Sequence, residues 1–340
     1  MKNILVVFTG GTIGSTATAG TINTLSTTAF KLLQLFEQHD KGGEAIQFKS
    51  VSALQILSEN LAPPVWPCLI KAIEAESPAQ YDGIIVTHGT DTLAYTANAL
   101  SFYFHLLPIP LLVVSSDYPL DDPRANGLEN FSCAVDFIRQ GQATGVFVPY
   151  RNQQQIMQVH QGTRLTCSLQ LGGDFYSVQH KSAMRYEKQT FTLLDSKQVT
   201  RIKSKWDGEL QAQFSAQVLM IKPYPGLNYD HLNLEGVKAV LHDLYHSGTA
   251  CASTQWGEEH SLLSLLERCA QQGIKVYLAP ALKSVDAYES TRVLLEKGAI
   301  MLWNMSIEAA YVKLMLAYGN WTELSQIQAF LEADIAGEML

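Results

Sequence analysis

The stretch Tyr81–Phe104, YDGIIVTHGTDTLAYTANALSFYF, changes its apolar period within a few residues. Asp82-Gly83 is a turn signal. Ile84, Ile85 and Val86 form a short β-branched run that reads as a buried strand. Leu93, Ala97, Leu100 and Phe104 then recur at spacings of four, three and four, the mark of an amphipathic helix. A strand, a loop and a helix in this order build an open α/β sheet, whose ligands bind at the carboxyl ends of strands. The loop Thr87-His88-Gly89-Thr90-Asp91-Thr92 is therefore where a site is expected. Gly89 lets the backbone turn sharply, and Asp91 or Thr92 can cap the helix.

A second loop of this kind opens the chain. Ile4–Phe8 reads as a strand, followed by Thr9-Gly10-Gly11-Thr12-Ile13-Gly14-Ser15. The glycine spacing is not that of a dinucleotide fingerprint, and no Gly-Lys-Ser/Thr closes it as a phosphate loop. From Thr9 to Thr28, 16 of 20 residues are Thr, Gly, Ser or Ala. Such a segment has little to bury and reads as a mobile flap whose hydroxyls can line a site, or as a bland surface loop.

Further along, a helix capped by Ser26 is expected to run to about His39, and Ala45–Val51 is the next strand. A helix follows Pro63-Pro64 to about Glu76. Leu111–Ser115 and Gly145–Pro149 read as strands flanking a helix at Asn126–Gln140. This alternation implies a doubly wound, mostly parallel sheet. Residues 151–215 break the rhythm with short β-like pieces, Ile156–His160 and Thr190–Leu194. A second alternation starts at Ala216. Helices are expected near 230–246, 259–272 and 286–297, and strands near 250–253, 274–279 and 299–302. Two helices, about 306–318 and 322–334, close the chain. The expected fold is two-domain α/β: a larger N-terminal domain at 1–200, a linker at 201–215, and a smaller C-terminal α/β domain at 216–340.

Composition limits the partners. Net charge is −8 with no dense Lys/Arg cluster, which argues against nucleic acid and anionic membranes. No apolar run approaches membrane-spanning length, and the first residues read as a strand of the mature fold rather than a signal peptide. Five cysteines, an odd number with no CxxC pair, argue against a disulfide framework or a zinc site and fit a reducing cytoplasm.

Both glycine loops carry threonines, Thr12 and Thr90, and both offer backbone N–H groups near Gly10, Gly11 and Gly89. A threonine hydroxyl attacks only when something accepts its proton, and paired N–H groups stabilise a developing oxyanion. The chemistry so indicated is acyl transfer at a small polar substrate, with no metal and no cofactor.

TGGTIG at 9–14 and HGTDTLAYTANALSF at 88–102 closely resemble the two signature motifs of the bacterial-type L-asparaginases. The resemblance extends over most of the chain, and its length is similar to the cytoplasmic branch. It implies hydrolysis of L-asparagine, sometimes glutamine, by dimers or tetramers whose sites a neighbouring C-terminal domain completes. Residue by residue it implies Thr12 as nucleophile, Thr90 as second catalytic threonine and Asp91 as binder of the substrate α-amino group. Ser58 matches the serine that holds the α-carboxylate.

The departures are specific. The family lysine follows an Arg-x-Thr sequence; here Arg164-Leu165-Thr166 is followed by Cys167. The flap tyrosine is replaced by Thr21, and the substrate-binding Asp-Ser stretch becomes Leu57-Ser58-Glu59-Asn60. The loop after the fourth strand reads Ser115-Ser116-Asp117. Asp91, Glu59 and Asp117 without a lysine favour a cationic or amine-bearing ligand. Lys181 is one candidate to replace the lost cation, and Cys167 as a new nucleophile beside His160 or His180 is an alternative. His88 reads as a packed or capping residue. Two functions stay open: an asparaginase-type amidohydrolase of reduced or redirected activity, and a catalytically silent paralogue that binds an amino acid.

Overall fold

The computed structural model describes residues 1–11, 13, 15–18, 21–24, 28–40, 42–196, 206 and 208–340; for 15–18, 21–24 and 28–30 it describes the backbone alone. The chain divides into two compact units, residues 1–205 with 335–337, and residues 206–334 with 338–340. Among the described residues no helix is long and apolar enough to cross a membrane.

The first unit is built on an eight-stranded sheet in the order β10-β9-β8-β7-β6-β5-β1-β4. β4 (Ile46–Ile56), β1 (Lys2–Gly10), β5 (Gly83–Thr87), β6 (Pro110–Val114) and β7 (Gly145–Tyr150) run parallel. β8 (Met157–Gln161), β9 (Met184–Glu187) and β10 (Thr190–Leu193) extend the sheet antiparallel. The β-like pieces after residue 151 thus continue the first sheet, and β9 joins them.

The central strands bury both faces, as parallel strands covered by helices do. Ile4 and Val6 point to one core with Leu112, Val114, Phe131 and Phe137, while Leu5 and Val7 alternate to the other side, all within 2% of complete burial. α1 (Thr28–His39) packs with α4 (Gly127–Arg139), and α2 (Val65–Ala75) with α3 (Leu93–Tyr103). The hydroxyl-rich segment expected as a flap contains a two-stranded hairpin, β2 (Ser15–Thr18) with β3 (Thr21–Thr24). Ser26, expected as a helix cap, lies outside the described residues.

The second unit carries a four-stranded parallel sheet in the order β11-β12-β13-β14. The strands are Val218–Ile221, Ala239–Asp243, Lys275–Ala281 and Ile300–Trp303. Helices α5 (Leu262–Gln271), α6 (Glu289–Glu296), α7 (Ile307–Asn320) and α8 (Leu324–Glu332) complete it. Two expectations are corrected here. Residues 230–246 are not a helix: Tyr229–His231 is a single 3-10 turn, and Ala239–Asp243 is a strand held between β11 and β13. Leu232, Leu234, Val237, Val240, Leu241 and Leu244 imitate helical spacing, but the fully buried run Ala239–Leu241 has partners on both edges, and pairing overrides periodicity. No strand forms at 250–253, because this run follows a tight turn in which Gly248 donates its amide to Tyr245 O and Tyr245 donates to Thr249 O.

The Lys313 ammonium is wholly buried in this unit, bonded to Leu331 O, Ala333 O and the equally buried Glu338 carboxylate at 3.2, 2.5 and 2.5 Å. Lys313→Ala leaves that carboxylate without its cation and is expected to lower unfolding free energy by about 3–5 kcal/mol in urea titrations. Burial, then the Glu338 charge, raises the neighbouring Asp334 carboxyl to about 6. A folded value above the ordinary carboxylate value means that ionising Asp334 opposes folding. That cost is full above pH ~6 and disappears below pH ~4. Asp334→Asn is therefore expected to remove a gain in stability that the native chain shows as the pH falls through this window, measured by urea unfolding at a series of pH values.

Candidate active site

Three loops meet at the carboxyl ends of the adjacent strands β4, β1 and β5. Gly11 follows β1, Ser58 follows β4, and Gly89–Asp91 follow β5. The Gly11 amide donates to Ile56 O at 3.0 Å, which ties the first two loops. Gly11 has φ +78°, and a Cβ there would stand 2.4 Å from the Gly89 nitrogen. A Cβ on Gly89 would stand 2.4 Å from Ser58 Oγ. Both positions must be glycine, because the backbones touch where side chains would be.

Ser58 is 4% exposed and sits at the centre of this contact. Its hydroxyl donates to Asp91 Oδ2 at 3.1 Å and accepts from the Asp91 amide at 3.2 Å. Its carbonyl accepts from the Thr92 hydroxyl at 2.9 Å. Thr92, one of the two cap candidates, stands at the N-cap position of α3 but makes no side-chain cap bond; its hydroxyl and the Asp91 carboxylate turn to Ser58 instead. Asp91 and Glu59 are exposed, and Thr90 is half-buried. Among the described residues Asp91 forms no ion pair.

His88 is packed, as its neighbours in sequence suggested. Its ring is buried at 3% exposure, and burial lowers its pKa to about 4. Nε2 faces Thr96 Oγ1 at 2.9 Å, and Thr96 Oγ1 accepts from Trp66 Nε1 at 3.1 Å. Neither Trp66 nor Thr96 was singled out from the sequence; a threonine on the buried side of an apolar helix was the available signal.

Asp117 follows β6. Its Oδ1 accepts from the amides of Tyr118 and Asn126, at 2.9 and 3.1 Å, and Asn126 Oδ1 accepts from the Asp117 amide at 3.0 Å. Asn126 also donates from Nδ2 to Arg151 O. One carboxylate oxygen of Asp117 thus orders its own loop, and burial raises the Asp117 pKa.

Cys167 is half-buried after a 3-10 turn at Gly162–Arg164. The Thr166 amide and hydroxyl both donate to Tyr176 O, and Arg164 Nε donates to Gly337 O. His160 is buried with Nδ1 against Ser177 Oγ at 2.8 Å, and burial lowers its pKa to about 4. The His180 ring packs edge-on against Tyr176. Lys181 is exposed and donates to Gln179 Oε1. Thr12 lies outside the described residues, and Thr21 is placed by its backbone alone, in β3. Among the described residues no cluster of His, Cys, Asp and Glu is arranged to hold a metal ion.

Gly89→Ala forces a methyl group into Ser58 Oγ. It is expected to cost about 1–3 kcal/mol of stability, read by thermal unfolding.

Comparison with known proteins identifies the family. Residues 3–200 match the family described as Asparaginase, N-terminal. The L-asparaginase of Thermococcus kodakarensis is 30% identical over 341 residues, covering 99% of this chain and 98% of that protein. The solved structure of the thermostable L-asparaginase from this organism matches with a TM-score of 0.80 at 29% identity, covering 99% of each chain. A Glutamyl-tRNA(Gln) amidotransferase component from Aeropyrum pernix is 28% identical over 311 residues, 87% of this chain and 71% of its own length. With a family match over more than half its length and a relative at 30% identity end to end, the chain belongs to the asparaginase family.

Proposed function

We propose that the protein is an amidohydrolase that releases ammonia from L-asparagine or a related small amide bearing an α-amino group. The observation that carries this is the junction of Gly11, Ser58 and Gly89–Asp91, where a carboxylate is held exposed beside the glycine loops. Asp91 binds the substrate ammonium, helped by Glu59, and Ser58 and Asp117 shape the pocket. The Thr12 hydroxyl attacks the amide carbon. Its proton leaves with the amine as ammonia, and water then hydrolyses the Thr12 ester. Thr90 assists from the facing loop. The relatives are named both as L-asparaginase and as part of a Glutamyl-tRNA(Gln) amidotransferase, so similarity supports amide chemistry without choosing the amide.

Cys167 stands where the family resemblance places a lysine, and Thr21 where it places the flap tyrosine. A neutral thiol supplies neither the cation nor the proton relay, so reduced or redirected turnover is the expected consequence. The same substitution supports the second reading, a silent paralogue that binds an amino acid.

The assembly proposed is a homodimer or homotetramer. In the second unit, the segments after β11, β12 and β13 expose Tyr224, Tyr245, Trp256, Leu282, Val285 and Tyr288, with Trp256 82% and Val285 99% exposed. Apolar groups gathered at one end of a sheet favour a partner. None of the five cysteines is in a disulfide, which supports a cytoplasmic setting.

The test is ammonia release from L-asparagine, L-glutamine and other small amides. Turnover is expected to disappear in Thr12→Ala and to rise about 10²–10⁴-fold in Cys167→Lys, the usual value of a positioned acid or base. No ammonia from the native chain, with activity appearing in Cys167→Lys, establishes the silent paralogue instead.

A further inference from the structure

We propose that His88 is a positioning residue: through Trp66 and Thr96 behind it and the Gly89 carbonyl before it, it locks the Gly89–Thr90 peptide so that the Thr90 amide serves the site. The proposal rests on the amidohydrolase reading for its catalytic consequence, but not for its geometry.

The hydrogen-bond directions follow from the partners. Trp66 Nε1 can only donate, so it takes a lone pair of Thr96 Oγ1. The Thr96 hydroxyl proton then points at His88 Nε2, 2.9 Å away. His88 Nδ1 lies 2.8 Å from Gly89 O, a pure acceptor, so Nδ1 carries the ring proton and donates. Nε2 is then the free acceptor that the Thr96 hydroxyl needs. Every polar atom of this buried chain has a partner in one arrangement only. Burial keeps the ring neutral, which the arrangement requires.

In a trans peptide the carbonyl and the following N–H point in opposite directions. Holding the Gly89 oxygen on the buried ring therefore aims the Thr90 amide away from it. Among the described residues that amide has no acceptor. The lock is needed because the residue is glycine. The contact with Ser58 excludes any side chain at position 89, and glycine tolerates both orientations of the peptide that follows it. His88 removes the freedom that the close approach of the loops imposes.

Two substitutions separate positioning from packing. In His88→Asn the side-chain nitrogen occupies the place of Nδ1 and can still donate to Gly89 O. In His88→Gln the nitrogen reaches the place of Nε2 and cannot. Crystal structures of both variants are the first readout, with the Gly89–Thr90 peptide expected native in His88→Asn and rotated in His88→Gln. This readout does not require turnover, so failure of the amidohydrolase reading is seen separately, as no ammonia from the native chain. In the kinetic readout, kcat is expected to fall about 10²–10³-fold in His88→Gln, the effect of losing one oxyanion donor, with KM little changed. His88→Asn, which keeps the donor to Gly89 O and loses the contact with Thr96, is expected to retain more of kcat than His88→Gln. Should the buried histidine not tolerate replacement, Thr96→Val removes the donor to Nε2, and Thr96→Ser restores it. Thr96→Val should then lower kcat and Thr96→Ser should recover it. An unrotated peptide in His88→Gln, equal losses in His88→Asn and His88→Gln, or a change confined to KM overturns the proposal.

Discussion

The site depends on one buried hydroxyl. Ser58 belongs to the loop after β4, yet its Oγ accepts from the Asp91 amide and donates to the Asp91 carboxylate, and its carbonyl takes the Thr92 hydroxyl. A hydrogen bond to a charged group contributes about 1.5–3 kcal/mol, enough to choose one loop conformation among several. The two glycines follow from it. Because the Ser58 side chain fills the space at position 89, and the backbone at 89 fills the space at position 11, three loops from three strands become a single rigid junction.

The electrostatics of this junction set what it can hold. Asp91 forms no ion pair among the described residues and is exposed, as is Glu59, the residue after Ser58. A ligand bearing an ammonium group meets this need. We propose that this charge disfavours an extra carboxylate on the ligand. His160 bonds through Nδ1 to Ser177, and the His180 ring packs edge-on against Tyr176.

How much the sequence disclosed follows from periodicity and its limits. The Ile84–Val86 run and the Leu93–Phe104 helix are unambiguous because the apolar period changes at a glycine loop, and both lie where they were expected. Residues 230–246 deceived because a buried central strand is apolar on both faces, so its leucines fall at helical spacing as readily as at strand spacing. Asp91 could be read either as a cap or as a site residue, because an aspartate before a helix looks the same whether it bonds the helix or a serine 33 residues earlier. The Trp66–Thr96–His88 chain was illegible for the same reason: it joins α2, α3 and the loop after β5, and only the packed fold brings them together.

The most direct measurement is to trap the acyl intermediate. The protein is mixed with L-asparagine or L-glutamine, quenched in acid, digested, and its peptides are weighed. The expected result is an ester-sized mass increase on the peptide holding Thr9–Ser15, absent in Thr12→Ala. A mass increase on the Cys167 peptide, or ammonia released with no covalent intermediate on Thr12 under conditions that trap it, contradicts the assignment of the glycine loops as the reacting centre.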